Sequence, residues 1–262
     1  MLQSASGQSW EEDLATLLGL LLSDGEVNTK TNRILFSNRS EVLHKVFREK
    51  LKKLFGIQVF TSWIDKKGVR ITQVKSKEVR KFLTRILPQF RRKKLKGENN
   101  FPVLEVKELQ KMLSKGNLVK KFLQAFFSGD GSVILGVKWH KQKSSWVFTR
   151  RVQVTCRNPS LKNFIAVLLR NKLGMKPQIW KKEIALERKE DIQKFAKEIN
   201  FIPGVKISKK SKNWWKIEKR VLLNLVLRTF RMSLKNFKDK EEIFEHLRKL
   251  LPAAERVQVP TG

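Results

Sequence analysis

The sequence predicts an α+β protein built from two copies of one unit, and three observations carry that prediction. Two apolar segments end alike, Leu17-Leu18-Gly19-Leu20-Leu21-Leu22-Ser23-Asp24-Gly25 and Leu123-Gln124-Ala125-Phe126-Phe127-Ser128-Gly129-Asp130-Gly131. Beyond each of them the same landmarks recur at a fixed separation. It is 118 residues for Phe36 and Val154, for Leu43 and Leu161, and for Gly56 and Gly174, and 113 residues for Phe82 and Phe195 and for Ile86 and Ile199. Between the landmarks, helical and strand patterns alternate in the order helix, strand pair, helix, strand pair, helix. A separation held over so many apolar positions marks an internal duplication covering most of residues 10–235.

The elements follow in chain order. Ser9-Trp10-Glu11-Glu12 has the form of a capping box opening the first motif helix. That helix carries Gly19 and Ser23 four residues apart, as its copy carries Ala125 and Gly129. Small residues at this spacing share one face and let two helix backbones approach closely, which would bring Asp24 and Asp130 together at the helix ends. β-Favouring residues run from Gly25 to about Asn38, and Phe36 to Ser40 leads into a helix marked by Leu43, Val46, Phe47 and Leu51. Phe60 to Val74 reads as a hairpin turning at Asp65-Lys66-Lys67-Gly68. A further helix follows from Lys77, and Gly97-Glu98-Asn99-Asn100 breaks the chain.

A linker with a short helix over Leu104 to Leu113 leads to the second motif helix, with Asn117 or Ser114 as its expected cap. Val133 to Lys138 and Trp146 to Thr155 read as strands around a polar loop, His140 to Ser144. The motif aspartates stand 106 apart and the later landmarks 118, so the second half holds 12 extra residues within this strand pair. Leu161, Phe164, Ile165 and Leu169 then repeat the earlier helix. The expected organisation is a flexible start at 1–8, a first half at 9–100, a linker at 101–116, a second half at 117–251 and a frayed tail at 252–262.

Composition narrows the function. Lys and Arg number 57 against 24 Asp and Glu, a formal charge of +33 that calls for a polyanionic partner. Thermophilic surfaces are also charged, but they mix both signs in ion-pair networks, whereas this excess is one-sided. The single cysteine, Cys156, excludes an internal disulfide, and the histidines at 44, 140 and 246 share no metal-ligand spacing. No run is long and apolar enough for a membrane span, and the polar N-terminus lacks the layout of a signal peptide. An intracellular protein, cytoplasmic or organellar and not secreted, is expected. In such a basic chain, two carboxylates brought together are a candidate metal site for cutting a phosphodiester. The plainer role for each Asp-Gly pair, a capped turn, does not account for two matched copies.

With Asp24 and Asp130 each just before a final glycine, the two segments resemble the motif of the LAGLIDADG homing endonucleases. They depart from it at the earlier acidic position, which reads Leu22 and Ser128. The resemblance implies two αββαββα units packed through their motif helices, with sheets forming a saddle over DNA. It implies a monomeric, site-specific endonuclease that cuts both strands across the minor groove, leaves short 3′ overhangs and accepts a non-palindromic site. Asp24 and Asp130, with main-chain carbonyls near Ser23 and Gly129, would hold Mg²⁺, a hard cation suited to oxygen ligands, with Mn²⁺ as a substitute. The family places a lysine near each scissile phosphate. The shared offset points to Lys96 and Lys209, in regions that also hold Lys93, Lys94, Lys206 and Lys210. Asn38 and Cys156 match a position that often holds a polar, water-organising residue, from which Cys156 departs.

DNA reading falls to strand residues on the face away from the core. Alternation puts Arg151, Gln153 and Thr155 on one face and Val152 and Val154 on the other. Arg and Gln suit bidentate contacts to guanine and adenine edges. The other candidates are Asn28, Lys30, Arg33, Thr61, Trp63 and Arg70 in the first half, and Lys138, His140, Lys141, Lys143, Gln178, Trp180 and Lys182 in the second. Phosphate contact is as consistent as base readout with any one of them. The longer second hairpin is expected to follow more DNA than its counterpart. The partner expected is double-stranded DNA, with neither a membrane nor a small-molecule substrate.

Two alternatives use the same fold: an RNA splicing cofactor (a maturase), and a DNA-binding regulator that does not cut. Retention of both aspartates favours cleavage over either. The regulator would also carry an added helix-turn-helix, for which the sequence leaves no evident room. Intein splicing is disfavoured because no splicing block with a terminal cysteine and a His-Asn pair surrounds the repeats.

Overall fold

The computed structural model describes residues 7–88, 90, 103–209 and 211–256. The first motif helix, α1 (Gly7–Asp24), already includes Ser9, so Ser9 does not cap it. The glutamates of the expected capping box reach instead to the second motif helix, α5 (Gly116–Asp130). Glu11 pairs with Lys115 at 2.7 Å, and Glu12 accepts from Asn117 Nδ2 at 3.0 Å. Asn117 is therefore not the cap of α5 either; Lys115 holds that position without a side-chain bond.

α1 and α5 form the most extensive packing between any two elements among the described residues. Leu14, Leu17, Leu18 and Leu21 on one side, and Phe122, Ala125 and Phe126 on the other, are buried. The small residues act as the sequence predicts. A Cβ on Gly19 would fall 2.3 Å from Phe122 O and 2.9 Å from Ala125 Cβ. Gly19→Ala is expected to force the helices apart at a cost of about 2–3 kcal/mol. Thermal unfolding should show it as a fall in Tm of roughly 5–10 °C; an unchanged Tm would mean that the helix crossing adapts freely.

From α1 the chain runs through β1 (Gly25–Asn28), β2 (Arg33–Asn38), α2 (Glu41–Phe55), β3 (Thr61–Ile64), β4 (Arg70–Lys75) and α3 (Lys77–Ile86), forming a sheet of order β1-β2-β4-β3. The Asp65–Gly68 turn forms as expected. Asp65 Oδ1 accepts from Lys67 N and Val69 N, and Gly68 takes the positive φ of 70° that glycine permits. After α4 (Lys107–Met112), α5 opens the second copy: β5 (Gly131–His140), β6 (Ser145–Thr155), α6 (Pro159–Val167), a π-helical turn (Leu168–Lys172), β7 (Gln178–Ile179), β8 (Glu183–Leu186) and α7 (Lys189–Glu198). Its sheet has the matching order β5-β6-β8-β7. The register repeats as well: Gly25 faces Phe36 as Gly131 faces Val154, and Phe36 faces Thr72 as Val154 faces Ile184. The break at 97–100 and the start of the linker lie outside the described residues.

The two copies differ in two linked ways. The extra residues lengthen β5 and β6 into an unbroken ladder from Gly131–Val154 to His140–Ser145, closed by a 3-10 turn at Lys141–Lys143. Three further helices follow the second unit: α8 (Lys219–Thr229), α9 (Lys240–Lys249) and the short α10 (Ala253–Arg256), of which only α10 lies in the segment expected as a tail. α8 and α9 cover the core-side face of the ribbon. Trp214 Nε1 donates to Leu135 O at 2.7 Å. Arg150 donates to Thr229 Oγ1 at 2.8 Å and Thr229 O at 2.6 Å, between the rings of Phe148 and Phe230. The sequence left no room for an added helix-turn-helix, and α8 and α9 do not form one. Their connection, residues 230–239, is far longer than the three- or four-residue turn of a helix-turn-helix.

Candidate nucleic-acid interface and carboxylate centre

α1 and α5 end side by side, so their C-terminal residues form one cluster. A Cβ on Gly129 would fall 2.2 Å from Ser23 Oγ and 2.6 Å from Asp24 Oδ2, so the bare backbone at Gly129 is what lets the Asp24 carboxylate lie across α5. Ser23 and Ser128, at and beside the motif positions, are buried and donate to carbonyls of their own helices, Leu20 O at 2.8 Å and Gln124 O at 2.6 Å, and Ser128 Oγ also accepts from Ile202 N at 2.8 Å. Asn38, at the end of β2, donates from Nδ2 to Asp24 Oδ2 at 2.8 Å. Cys156, its counterpart, is buried and directs its thiol toward Asn158 O.

The residue that sequence reasoning missed is Lys219. Its ammonium is fully buried and donates to Ser128 O at 2.8 Å and Gly131 O at 2.7 Å. These carbonyls belong to the negative end of α5, where a cation is favoured. Burial pulls the Lys219 pKa down to about 8, while the Asp24 and Asp130 carboxylates both pull it back up. Both carboxylates thus lie within electrostatic reach of this ammonium. A signal was available in the sequence: Lys219 shares a helical stripe with Leu222, Leu223 and Val226, all buried, and a lysine on an apolar stripe is unusual. By contrast, Lys209 is exposed, with its ammonium 5.3 Å from the Trp215 ring, and Lys96 lies outside the described residues.

The cluster fits a hard divalent cation by its donor chemistry, two carboxylates beside main-chain carbonyls with no soft ligand. Among the described residues, no group of three or more His, Cys, Asp or Glu gathers anywhere. A metal at this point would complete its shell from the main chain, water or substrate.

The open face of each sheet, away from the helices, is read from the register. In the first sheet it holds Asn28, Arg33, Gln73, Thr61 and Trp63. Asn28 Oδ1 is engaged by the turn, accepting from Lys30 N and Thr31 N, and Lys30 is exposed at its tip. Arg70 does not belong to this set. It points to the helix layer and pairs with Glu41 at 2.6 Å, because Thr72, two residues on, faces the core. In the second sheet the open face holds Lys138, His140, Arg151, Gln153, Thr155 and Gln178, with Lys141 and Lys143 exposed at the ribbon tip. Lys182 is exposed in the turn before β8. Arg151 is not a free cation. It pairs with Glu187 at 2.6 Å and Glu183 at 3.5 Å, and its guanidinium stacks 4.2 Å from the Trp180 ring. No described helix is long and apolar enough to cross a membrane.

Residues 117–200 match the family model of the LAGLIDADG-like domain, a span that coincides with the second αββαββα unit. Over 124 residues the chain is 30% identical to the replication factor C small subunit of Methanocaldococcus jannaschii; this is 47% of the chain but 6% of that relative, so the chain spans a small part of it. The full-length DUF199/WhiA protein of Thermotoga maritima superposes with a TM-score of 0.51 at 13% identity, covering 95% of this chain and 68% of its own. A variant of the homing endonuclease I-DmoI, solved with its target DNA in the presence of Mg, superposes with a TM-score of 0.50 at 16% identity, covering 74% of this chain and 98% of its own. At these identities the two structures establish the shared fold.

Proposed function

From a chain whose residues 117–200 match the LAGLIDADG-like domain and whose first half repeats the topology of that unit, we propose a metal-dependent, site-specific double-strand DNA endonuclease acting as a monomer. The observation that carries this reading is that two packed helices end side by side in Asp24 and Asp130, with the Asp24 carboxylate lying against Gly129 and a buried Lys219 ammonium within electrostatic reach of both. Asp24, Asp130 and carbonyls near Ser23 and Gly129 would hold the ion, with Mg²⁺ first and Mn²⁺ as a substitute. A divalent ion so held supplies Lewis acidity toward a phosphoryl oxygen and lowers the pKa of bound water. The chain's own residues do the rest. Asn38 fixes the Asp24 carboxylate, Lys219 offsets the repulsion between two carboxylates and an approaching phosphate, and the basic sheet faces grip the duplex. The long ribbon, backed by α8 and α9, extends the reading surface of the second half.

A second reading, a DNA-binding protein that does not cut, is favoured by one feature. Lys219 already brings a cation to the two carboxylates, which would let a phosphodiester approach without a metal. Incubating the protein with a randomised duplex library and Mg²⁺, then sequencing the ends, separates the two. Paired staggered cuts at one sequence support the endonuclease, and binding without cuts in Mg²⁺ or Mn²⁺ supports the regulator. In either case affinity should fall steeply with salt, by about 0.9 in log K per log salt for each phosphate neutralised. A protein gripping a long site neutralises several, so a slope near zero in a titration would rule out both readings.

A further inference from the structure

Helix α8 is tied to the long ribbon at both of its ends. At its first residue, the Lys219 ammonium donates to Gly131 O, where β5 begins, and to Ser128 O at the end of α5. At its last residue, Thr229 is held by Arg150 of β6, whose Nε donates to Thr229 Oγ1 at 2.8 Å and whose Nη2 donates to Thr229 O at 2.6 Å. Arg150 stands opposite Leu135 in the register, and Leu135 O accepts from Trp214 Nε1, so the chain leading into α8 is fastened at the same level. The two spans match. From Gly131 to Leu135 the strand rises roughly 14 Å, and from Lys219 to Thr229 the helix rises roughly 15 Å. Between the ties, Leu222, Leu223, Leu225 and Val226 are buried, and α8 packs on both β5 and β6.

Packing alone does not call for the tie at Thr229. Trp146, Phe148, Val152 and Val154 share the face of β6 that Arg150 takes, so the arginine interrupts an apolar row. An apolar residue there would need no partner, whereas a guanidinium drawn out of water does. Its partners are fixed ones. Thr229 is fully buried, and its hydroxyl donates in turn to Val226 O at 2.7 Å. Thr229 O belongs to the negative end of α8, where a cation is favoured. The next residue, Arg151, lies on the opposite, open face with Gln153. The ribbon and α8 thus form one unit, with the open face on one side and Lys219 at its root.

We propose that Arg150 is a positioning residue for Lys219, acting through α8, so that the ribbon and the ammonium near the aspartates move as one body. A helix that is loose at one end can pivot on its apolar stripe, and a small tilt lengthens the hydrogen bonds at the other end. The grip of Arg150 on Thr229 removes that freedom. A consequence, that DNA seated on the open face of the ribbon also steadies Lys219, rests on the DNA-binding reading; the positioning itself does not.

Proton exchange followed by NMR tests it in the metal-free, DNA-free protein. Arg150→Met leaves the site apolar and removes both donors, and the Lys219 ammonium protons should then exchange about 10-fold faster than in the wild type, the factor expected from weakening one buried hydrogen bond. Arg150→Lys keeps a donor for Thr229 O and should recover most of the loss. Leu83→Ala, a cavity in the core of the first half, controls for lost stability and should leave Lys219 exchange within about twofold of the wild type. Coupling is reciprocal, so Lys219→Met should in turn speed exchange of the Arg150 Nε proton. Lys219 exchange that is unchanged in Arg150→Met, or raised as much by Leu83→Ala, overturns the proposal, as does an unchanged Arg150 signal in Lys219→Met. Should Arg150→Met fail to fold, Thr229→Val, which removes only the hydroxyl, decides by the same signal with a rise of about threefold expected. On adding a duplex that the protein binds, Lys219 exchange should slow in the wild type and change less in Arg150→Met. Equal slowing in both overturns the link to DNA. A protein that binds no duplex sinks the DNA-binding reading instead, and exchange in the free protein still decides the positioning.

Discussion

Asp24→Asn and Asp130→Asn, each made alone, should reduce cleavage by about 100-fold or more, a loss of roughly 3 kcal/mol of transition-state stabilisation. DNA affinity should be unchanged or higher. Each substitution removes a negative charge that repels phosphate, and it leaves the amide the size of the acid it replaces. Strand-resolved gels with Mg²⁺, alongside a filter-binding titration, measure both quantities. Asp24→Asn also keeps an oxygen able to accept from Asn38, so the local structure should persist. If both variants cut both strands at the wild-type rate, the metal site is not at these carboxylates.

Lys219→Met should have the next largest effect, on two separate observables. Met is unbranched and of similar length, and it leaves Ser128 O and Gly131 O without the ammonium. Cleavage should fall by about 100-fold, since nothing then offsets the repulsion among Asp24, Asp130 and the phosphate. Stability near neutral pH should change less than activity, because losing the burial cost of the charge is opposed by leaving two buried carbonyls without a donor. The pH dependence has a definite sign. With its pKa lowered from 10.5 to about 8 on folding, Lys219 binds a proton more readily in the unfolded chain. Below pH 8 it is charged in both states, and its burial is a standing cost. From about pH 8 to 10.5 that cost is relieved, so wild-type stability should gain on the order of 3 kcal/mol relative to Lys219→Met. Denaturant unfolding across that range, without divalent metal, measures the difference. Parallel curves for the two proteins would mean that Lys219 is not buried as a cation.

Most of the architecture was legible because it is local and repeated. The αββαββα order, the pairing of the motif helices, the hairpin at Asp65–Gly68 and the faces of Arg151 and Gln153 all follow from periodicity, small residues and turn chemistry. Arg70 went wrong by the same logic: one residue in a strand decides which face a side chain takes, and only the pairing of Thr72 with Phe36 settles the phase. The expected capping box failed because Glu11 and Glu12 have partners more than a hundred residues away on α5.

By itself, the sequence determined that this chain is a duplicated α+β fold with one aspartate at the end of each motif helix and a formal charge of +33. Those properties reside in residue type, spacing and summed charge, and they need no partner to be read. Only the tertiary structure decided which of many lysines stands at the aspartates, because lysines are interchangeable in composition and Lys219 is 91 residues from the carbonyl of Ser128 that it bonds. It also decided that Arg151 is held by Glu183 and Glu187, and that α8 and α9 support the long ribbon. Each of these depends on which side chains meet after long stretches of chain have folded back, and burial then fixes their charge and orientation.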